Sequence, residues 1–513
     1  MSISESAKKN LIVVSNRLPL SVKRAPDGSY QSNVSSGGLV TSLSGLTKTT
    51  KFRWFGWPGL EVKKESEIEE VKRSLGEHDA YPIFLSDELA QDHYNGFSNQ
   101  ILWPSLHYQS GVIFKDGPWE AYRKVNELFA DNVADAANDG DLIWVHDYHL
   151  MLLPKLLRER LAKQGKKCPI GFSLHTPFPA ADFWRALPVS RELLEGLLAS
   201  NLVGFHTDEY KQNFIDSCGL VVNADTNIPN KIQYNGRLIL TDKFIVGIDP
   251  QKFIDTKQEP DVQNRISQLN ERYKGIKVIL GVDRLDYIKG LTQKLIGYDT
   301  FLEQHPEWRG KVVLIQVAVP SREDVKEYKD LETEISTIVG KINGKYGRLT
   351  TSSHERYSKL TGTASPDYTP LIYLHRSIPF PELTALYSVA DVCLLASTRD
   401  GMNLVSFEYV ACQQEKHGVM ALSQFTGAAA FMKDGALTFH PANPNEISEA
   451  VNKALTMPED KRKANYQKLK DFIEYNTRLV LSLSTALVKH ILTNGSGRWG
   501  ESFVSALSSC SAK

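Results

Sequence analysis

Short apolar runs alternate along this chain with longer stretches of helical spacing. Leu11–Val14, Leu142–Val145, Ile170–Leu174 and Leu202–Phe205 are rich in branched and aromatic residues and are bounded by polar or turn residues. That is the pattern of strands buried on both faces. Between them, Leu150–Lys163 and Arg191–Ala199 set apolar residues three and four apart, as a helix with one buried stripe does. Strand followed by helix, repeated, predicts a parallel sheet. The apolar stretch Phe244–Ile248 is expected to close that sheet, just before Asp249-Pro250 and a charged helical segment. A second series then begins, with strands expected at Val278–Val282, Val312–Val317, Leu371–Leu374, Val392–Ala396 and Val419–Leu422, and a helix over Leu291–Phe301. The fold class is therefore α/β. Domains are expected over 1–248 and 249–478, with 479–513 an insertion followed by a terminal helix.

A chain of 513 residues is long enough for two or three domains. Lys plus Arg equals Asp plus Glu at 60 each, so neither nucleic acid nor an anionic membrane is an expected partner, and any basic patch must be local. The five cysteines are scattered without a CxxC pair, which argues against a disulfide framework and against a zinc site. MSISESAKKN lacks the apolar core of a signal peptide, and Leu479–Leu492 is interrupted by Lys489 and His490 and is too short for a bilayer. A soluble, cytoplasmic protein is the expectation.

In parallel sheets, ligands gather beyond the C-terminal ends of the strands. The residues at those ends are informative here. Arg17 follows the first strand, and Gly37-Gly38 precede a helix, where paired glycines let backbone approach a ligand. Tyr94 and Trp103 lie in a polar, aromatic segment suited either to sugar stacking or to plugging a core. Asp147 and His175 follow two successive strands and so belong on one rim. His146-Asp147-x-His149 suggests a metal, but alternate residues off a strand tip diverge and no further ligands cluster in the sequence. Asp139-Gly140-Asp141 precedes its strand and reads as a turn. In the second series Arg284 and Lys289 bracket a strand-to-helix turn, a fork and a point charge suited to a diphosphate. Arg322 follows another strand.

The most informative stretch is DVCLLASTRDGMNLVSFEYVAC, Asp391–Cys412. A buried strand breaks at a glycine loop and resumes as a helix, whose first N–H groups and dipole favour an anion. Asp400 on the loop and Glu408 in the helix supply carboxylates, which accept hydrogen bonds from neighbouring sugar hydroxyls. Strand-loop-helix units are also ordinary parts of any α/β protein. Taken together, an anion site flanked by diol acceptors is the layout a sugar nucleotide requires.

The segments VVSNRLP, SSGGLV, YNGFSN, LWP, WVHDYHL, HTPFP, GVDRLDYIKG, VAVPSR, HRSIPF and STRDGMNLVSFE, in this order, resemble the trehalose-6-phosphate synthase family of retaining glycosyltransferases. The resemblance runs from Leu11 to Tyr475 and resumes at Arg498–Leu507. It implies two facing Rossmann-like domains of the GT-B type with the active site in the cleft between them. The implied reaction takes glucose from UDP-glucose to glucose 6-phosphate, giving trehalose 6-phosphate and UDP. It further implies that Arg17, Tyr94, Trp103, Asp147 and Arg322 meet glucose 6-phosphate. Gly38, Arg284 and Lys289 would meet the donor diphosphate, Ile378 the uracil, and His175 the donor glucose. Asp400, Gly401, Met402, Asn403, Leu404, Val405, Ser406, Phe407 and Glu408 would hold donor glucose, phosphates and ribose. The catalytic set implied is Arg284, Lys289, Asp147 and His175, with no metal and no cofactor. The expected assembly is a homo-oligomer, with a phosphatase or regulatory subunits as further partners.

Retention by a carboxylate nucleophile is the usual expectation. The resemblance implies instead same-face attack through an oxocarbenium-like state, so no general base is assigned. The chain departs from the family pattern in three places. After HTPFP it has Ala180-Ala181-Asp182, and extra polar segments lie near 347–370 and 480–497. No phosphatase segment is expected past Asn476. Alternatives are a related enzyme with another donor or acceptor, a non-catalytic scaffolding subunit and, last, a metal hydrolase. The presence of Arg284, Lys289 and Glu408 favours the active synthase over the scaffold.

Overall fold

The computed structural model describes residues 10–26, 30–34, 38–43, 46, 50–322, 325–348, 367–477 and 495–510. Most of both extra polar segments, and Ser35, Ser36 and Gly37, lie outside the described residues. The chain divides into two compact units, Met1–Val246 with Arg478–Lys513, and Gly247–Thr477. The first unit therefore takes the terminal helix.

The first unit contains β1 (Leu11–Arg17), β2 (Leu20–Arg24), β3 (Tyr30–Val34), β4 (Phe52–Trp57), β5 (Ala80–Pro82), β6 (Leu142–His146), β7 (Ile170–Ser173), β8 (Leu202–Phe205), β9 (Lys231–Tyr234) and β10 (Arg237–Lys243). Strands β2 and β3 form a separate antiparallel hairpin. The others make an eight-stranded sheet in the order β5-β4-β1-β6-β7-β8-β10-β9. It is parallel except at β9–β10. The second unit contains β11 (Lys277–Arg284), β12 (Val312–Val319), β13 (Leu371–Leu374), β14 (Val392–Leu395), β15 (Val419–Ser423) and β16 (Leu437–Phe439). Its six-stranded sheet runs β13-β12-β11-β14-β15-β16, parallel throughout. In both units the first parallel strand lies between the second and the fourth. That is the doubly wound, Rossmann-like order, whose ligand crevice opens where the winding reverses.

Register shows where each crevice begins. Strands β1 and β6 pair from Leu11↔Leu142 to Val14↔Val145, while β1 stays paired to β4 as far as Arg17↔Trp57. Strands β11 and β14 pair only at Ile279↔Val392 and Leu280↔Cys393, while β11 stays with β12 to Arg284↔Val319. The tips holding Arg17 and Asp147, and those holding Arg284 and Asp400, thus flank the two reversal points.

One sequence expectation fails here. The first sheet closes with β10, Arg237–Lys243, and Phe244–Ile248 is not a strand. Lys243 pairs with Phe205, the last residue of β8; Phe244 still donates to the Phe205 carbonyl at 2.7 Å and its own carbonyl meets His206 Nδ1 at 3.2 Å, but among the described residues no ladder continues past it. Val246 and Ile248 are still buried, by packing alone.

The terminal helix, Gly495–Ser509, packs on the first sheet. Phe503 stacks on Trp144 with ring centroids 4.4 Å apart and meets Phe244 at 4.9 Å. Glycines in β7 and β8 make room for it: a Cβ on Gly171 would stand 2.6 Å, and one on Gly204 2.9 Å, from the Phe503 ring. Truncating a ring buried this way leaves a cavity worth about 3–5 kcal/mol. Phe503→Ala should therefore lower the first unit's urea unfolding free energy by about that amount, followed by tryptophan fluorescence, and Gly171→Ala by about 1–3 kcal/mol through overpacking. An unchanged midpoint in both variants would mean that the helix is not seated on the sheet.

Candidate active site

At the second unit's crevice, β11 delivers Arg284, and the chain then makes a tight turn, Tyr287–Lys289, into the helix Leu291–Gln304. Gly290 joins the two in a left-handed conformation (φ 64°), and a Cβ there would stand 1.9 Å from the Ala396 carbonyl oxygen. Only glycine fits both demands. The close approach lets the two loops tie together. Thr398 N–H donates to the Ile288 carbonyl at 2.8 Å, and Lys289 Nζ donates to Asp400 Oδ2 at 2.6 Å. Both side chains of that ion pair are largely shielded from water, at 12% and 9% exposure, so the attraction is screened far less than at an open surface.

Asp286 was not singled out in the sequence, yet it organises the cations. It is fully buried, and its Oδ2 stands 3.5 Å from Arg284 Nη2 and 3.4 Å from Arg322 Nη1. These separations exceed the roughly 2.7–2.9 Å of a strong charge-assisted bond, so the carboxylate orients two guanidiniums without locking either. Arg284 keeps 40% of its side chain exposed, whereas that of Arg322 is 3% exposed and bonds the Tyr328 hydroxyl. Arg322 also has a positive φ of 53°, a strained backbone of the kind that gathers at binding sites. An acid placed in the sequence between two candidate cations, Arg284 and Lys289, was the available clue.

The glycine loop continues from Asp400, whose Oδ2 also accepts from Asn403 Nδ2 at 3.3 Å. Asn403 caps the helix Leu404–Ala411 by accepting from Ser406 N–H at 3.2 Å. Gly401, Met402, Ser406 and Phe407 are buried, while Leu404, Val405 and Glu408 are half-buried. Glu408 accepts from the Tyr387 hydroxyl at 2.8 Å. Burial raises its pKa above the ordinary carboxyl value, and the Tyr387 bond only partly offsets this. Ile378 is half-buried in the loop between β13 and the helix Phe380–Val389.

At the first unit's crevice, Arg17 ends β1 exposed, its guanidinium 4.7 Å from the centre of the Trp57 ring. Asp147 follows β6 with φ 73°, and its Oδ1 accepts from His175 N–H at 3.2 Å. The expected common rim of Asp147 and His175 is thus a direct contact. Tyr94 lies in a wide helical stretch, Asp92–Leu102, and stacks on His149 at 5.6 Å. Trp103 is buried against His107 and Tyr148. Gly38 begins a short helix, Gly38–Leu43. Asp139 and Asp141 flank a turn at Gly140 (φ 82°), and Asp141 is held by Arg53 at 2.9 Å. Among the described residues no cluster of His, Cys, Asp and Glu could hold a metal ion. Of the expected residues, Arg17, Gly38, Tyr94, Trp103, Asp147 and His175 belong to the first unit; Arg284, Lys289, Arg322, Ile378 and Asp400 to Glu408 belong to the second.

Three strand-tip histidines meet beneath this rim. His146 Nδ1 lies 3.1 Å from His175 Nε2, and the rings of His175 and His206 are 5.1 Å apart, with Trp499 of the terminal helix 5.6 Å from His175. Burial pushes the pKa of His146 down to about 3, and that of His93 likewise. His175 is lowered by burial and then by its two histidine neighbours. His93, His146 and His175 are therefore neutral at pH 7. A histidine whose folded pKa is depressed adds stability above its unfolded value of 6.5, and loses it as pH falls towards 3. Between those limits each such group should steepen the fall in unfolding free energy by about 1.4 kcal/mol per pH unit. Urea titrations of the wild type and His93→Gln between pH 7 and 4.5 should differ by one proton's slope. Parallel slopes would show that His93 is not held neutral.

The chain matches glycosyltransferase family 20 over residues 9–479. It is 49% identical over 502 residues to the α,α-trehalose-phosphate synthase [UDP-forming] of Botryotinia fuckeliana, covering 98% of this chain and 89% of that one. It is 48% identical over 513 residues to the 56 kDa subunit of that name from Saccharomyces cerevisiae, covering 99% and 96%. An E. coli trehalose-6-phosphate structure bound with UDP-2-fluoro glucose superposes with a TM-score of 0.79 at 32% identity, covering 98% of this chain and 99% of that one. A Burkholderia xenovorans synthase in complex with glucose-6-phosphate superposes with a TM-score of 0.79 at 29% identity, covering 97% and 99%. A chain with two Rossmann-ordered sheets and this run of similarity belongs to glycosyltransferase family 20, together with the UDP-forming trehalose-phosphate synthases.

Proposed function

We propose that the chain transfers a glucosyl group from UDP-glucose to glucose 6-phosphate with retention of configuration, giving trehalose 6-phosphate and UDP. The observation that carries this reading is the second unit's rim. There Arg284, Lys289 and the Asn403-capped helix start converge at a Rossmann reversal point, with Asp400 and Glu408 beside them. Cationic donors and free backbone N–H groups suit a diphosphate, and the carboxylates suit sugar hydroxyls.

In the reaction, the bond between donor C1 and the phosphate oxygen breaks as the acceptor oxygen bonds to C1 from the same face. The acceptor's proton passes to the departing phosphate oxygen. Arg284 and Lys289 stabilise the negative charge that develops on that oxygen. Lys289, already oriented by Asp400, has further N–H donors for a phosphate. Glu408 holds the ribose and Ile378 borders the uracil. Gly38 approaches the diphosphate, and His175, held neutral, binds the donor glucose. Arg17, Tyr94, Trp103, Asp147 and Arg322 receive glucose 6-phosphate. Most of the rate enhancement then comes from positioning and fixed charge. The Saccharomyces relative bears the name of a subunit, and by analogy a place in an oligomer or a larger assembly is part of the proposal. Cys168, Cys218, Cys393 and Cys412 are buried thiols, which suits a reducing compartment such as the cytoplasm. No helix among the described residues is long and apolar enough to cross a membrane.

The test is UDP release from UDP-glucose, with and without glucose 6-phosphate, in EDTA. Release that depends on the acceptor supports the reading. No release, with both ligands still bound by calorimetry, overturns it. Arg284→Ala should lower kcat by about 10²–10³, and unchanged turnover would remove it from the reaction. Arg322→Ala should mainly raise the KM for glucose 6-phosphate; a defect confined to UDP-glucose would reassign that residue to the donor.

A further inference from the structure

At the opposite ends of its strands the first unit holds two arginines that form no ion pair with a described carboxylate. Arg158, on the helix Leu153–Lys163, donates from Nε to the Ala199 carbonyl at 2.8 Å and from Nη2 to Asn201 Oδ1 at 2.7 Å. Arg237, at the start of β10, donates from Nη2 to the same Ala199 carbonyl and to that of Ser200, each at 3.0 Å. Neither arginine has an ion pair with any described Asp or Glu. Arg237 Nε is buried with no hydrogen-bond partner among the described residues. The carbonyls of Ala199, which both bond, and Ser200 follow the helix Ser190–Leu197, whose C-terminal end offers only about half a negative charge. Two guanidiniums therefore exceed what the helix end supplies. Burial and the neighbouring Arg237 push the pKa of Arg158 down to about 10, as expected of a cation lacking its counter-ion.

Arg158 lines a cavity of about 460 Å³ together with Lys166, Lys167, Cys168, Asn201 and Cys510. No acidic side chain among the described residues lines it. Two carboxylates stand near the Cys168 wall: Asp141, paired with Arg53 at 2.9 Å, and Asp139, which accepts from the backbone N–H of Lys167 at 2.6 Å; neither has an ion pair with Arg158. The described hydrogen bonds of Arg158 use Nε and Nη2, and that of Asn201 uses its carbonyl oxygen. Arg158 Nη1 and Asn201 Nδ2 remain as donors, neither of them among the sealed, partnerless atoms. Pro169 and Asn201 immediately precede β7 and β8, so the cavity opens at the N-terminal ends of strands whose C-terminal ends carry His175 and His206.

We propose that this cavity binds a phosphate group, held by Arg158, Lys167 and Asn201, as a site separate from the rim residues. Its volume falls within the range of small-molecule pockets, roughly 300–1,000 Å³. That exceeds what inorganic phosphate alone fills and leaves room for a small phosphorylated sugar. A planar fork with a free edge is the donor best matched to phosphate oxygens.

Calorimetric titration distinguishes the outcomes. Inorganic phosphate and, separately, ribose 5-phosphate are titrated into the wild type, Arg158→Gln, Lys167→Gln and Arg284→Ala. The proposal expects binding that Arg284→Ala leaves intact, that Arg158→Gln weakens at least tenfold, and that Lys167→Gln weakens severalfold. Tighter binding of ribose 5-phosphate would identify a sugar phosphate as the ligand, and equal binding the free anion. Lys167 is exposed, so its variant reports on the site even if Arg158→Gln fails to fold. Wild-type affinity in both Arg158→Gln and Lys167→Gln would overturn the proposal. So would binding abolished by Arg284→Ala alone, or no binding at 10 mM of either probe. None of these readings requires glucosyl transfer, so they stand or fall apart from the proposed reaction.

Discussion

The charged rim of the second unit depends on one close approach, that of Gly290 to the Ala396 carbonyl. Because no side chain stands between them, the turn after β11 lies directly beside the loop after β14. Lys289 can then reach Asp400, and Thr398 can reach Ile288. The approach also sets the start of the helix Leu404–Ala411, since Asp400 bonds Asn403, which caps that helix. A methyl group at 290 would drive the loops apart, and every one of these contacts would lengthen together. The position of Lys289 is thus a property of the backbone, fixed before any ligand arrives.

The two units share a strand order but not a surface chemistry. The second sheet ends in opposed charges, Arg284, Arg322 and Lys289 against Asp286 and Asp400. The first ends in aromatic rings and neutral histidines, with Arg17 over Trp57 and Asp147 as the carboxylate at its centre. Repetition of one winding rule explains where each crevice lies. The residues at the strand tips decide what each crevice can attract.

Much of this was legible in the sequence because a buried parallel strand is short, apolar and bounded. β1, β6, β7 and β8, and later β11 to β15, could be read that way, and their tips delivered the candidate residues. The reading failed where burial and strand structure part company. Phe244–Ile248 is apolar enough for a strand, but after Phe244 bonds Phe205 and His206 no ladder continues among the described residues. Arg237–Lys243 is the strand, although its alternation (Ile239 and Thr241 buried, Leu238 exposed) is diluted by charge. Asp286 escaped notice because an acid beside two cations ordinarily reads as a solvated surface group, and only three-dimensional packing shows it sealed. The assignment of Arg322 to the acceptor came from a motif. Its shared carboxylate with Arg284 could not, because the two residues are brought together by pairing between β11 and β12.

The terminal helix gives this architecture an order in time. The first unit occupies the first half of the chain, yet Trp499 and Phe503, which cover His146 and Trp144, lie beyond the whole of the second unit. During synthesis the first sheet can assemble early, since domains generally fold as they emerge. Its Phe503-facing glycines and the Trp144 ring nevertheless stay uncovered until residues near 509 have been made. A nascent chain stalled within the second unit would carry a first unit with an open apolar groove, a natural target for a chaperone.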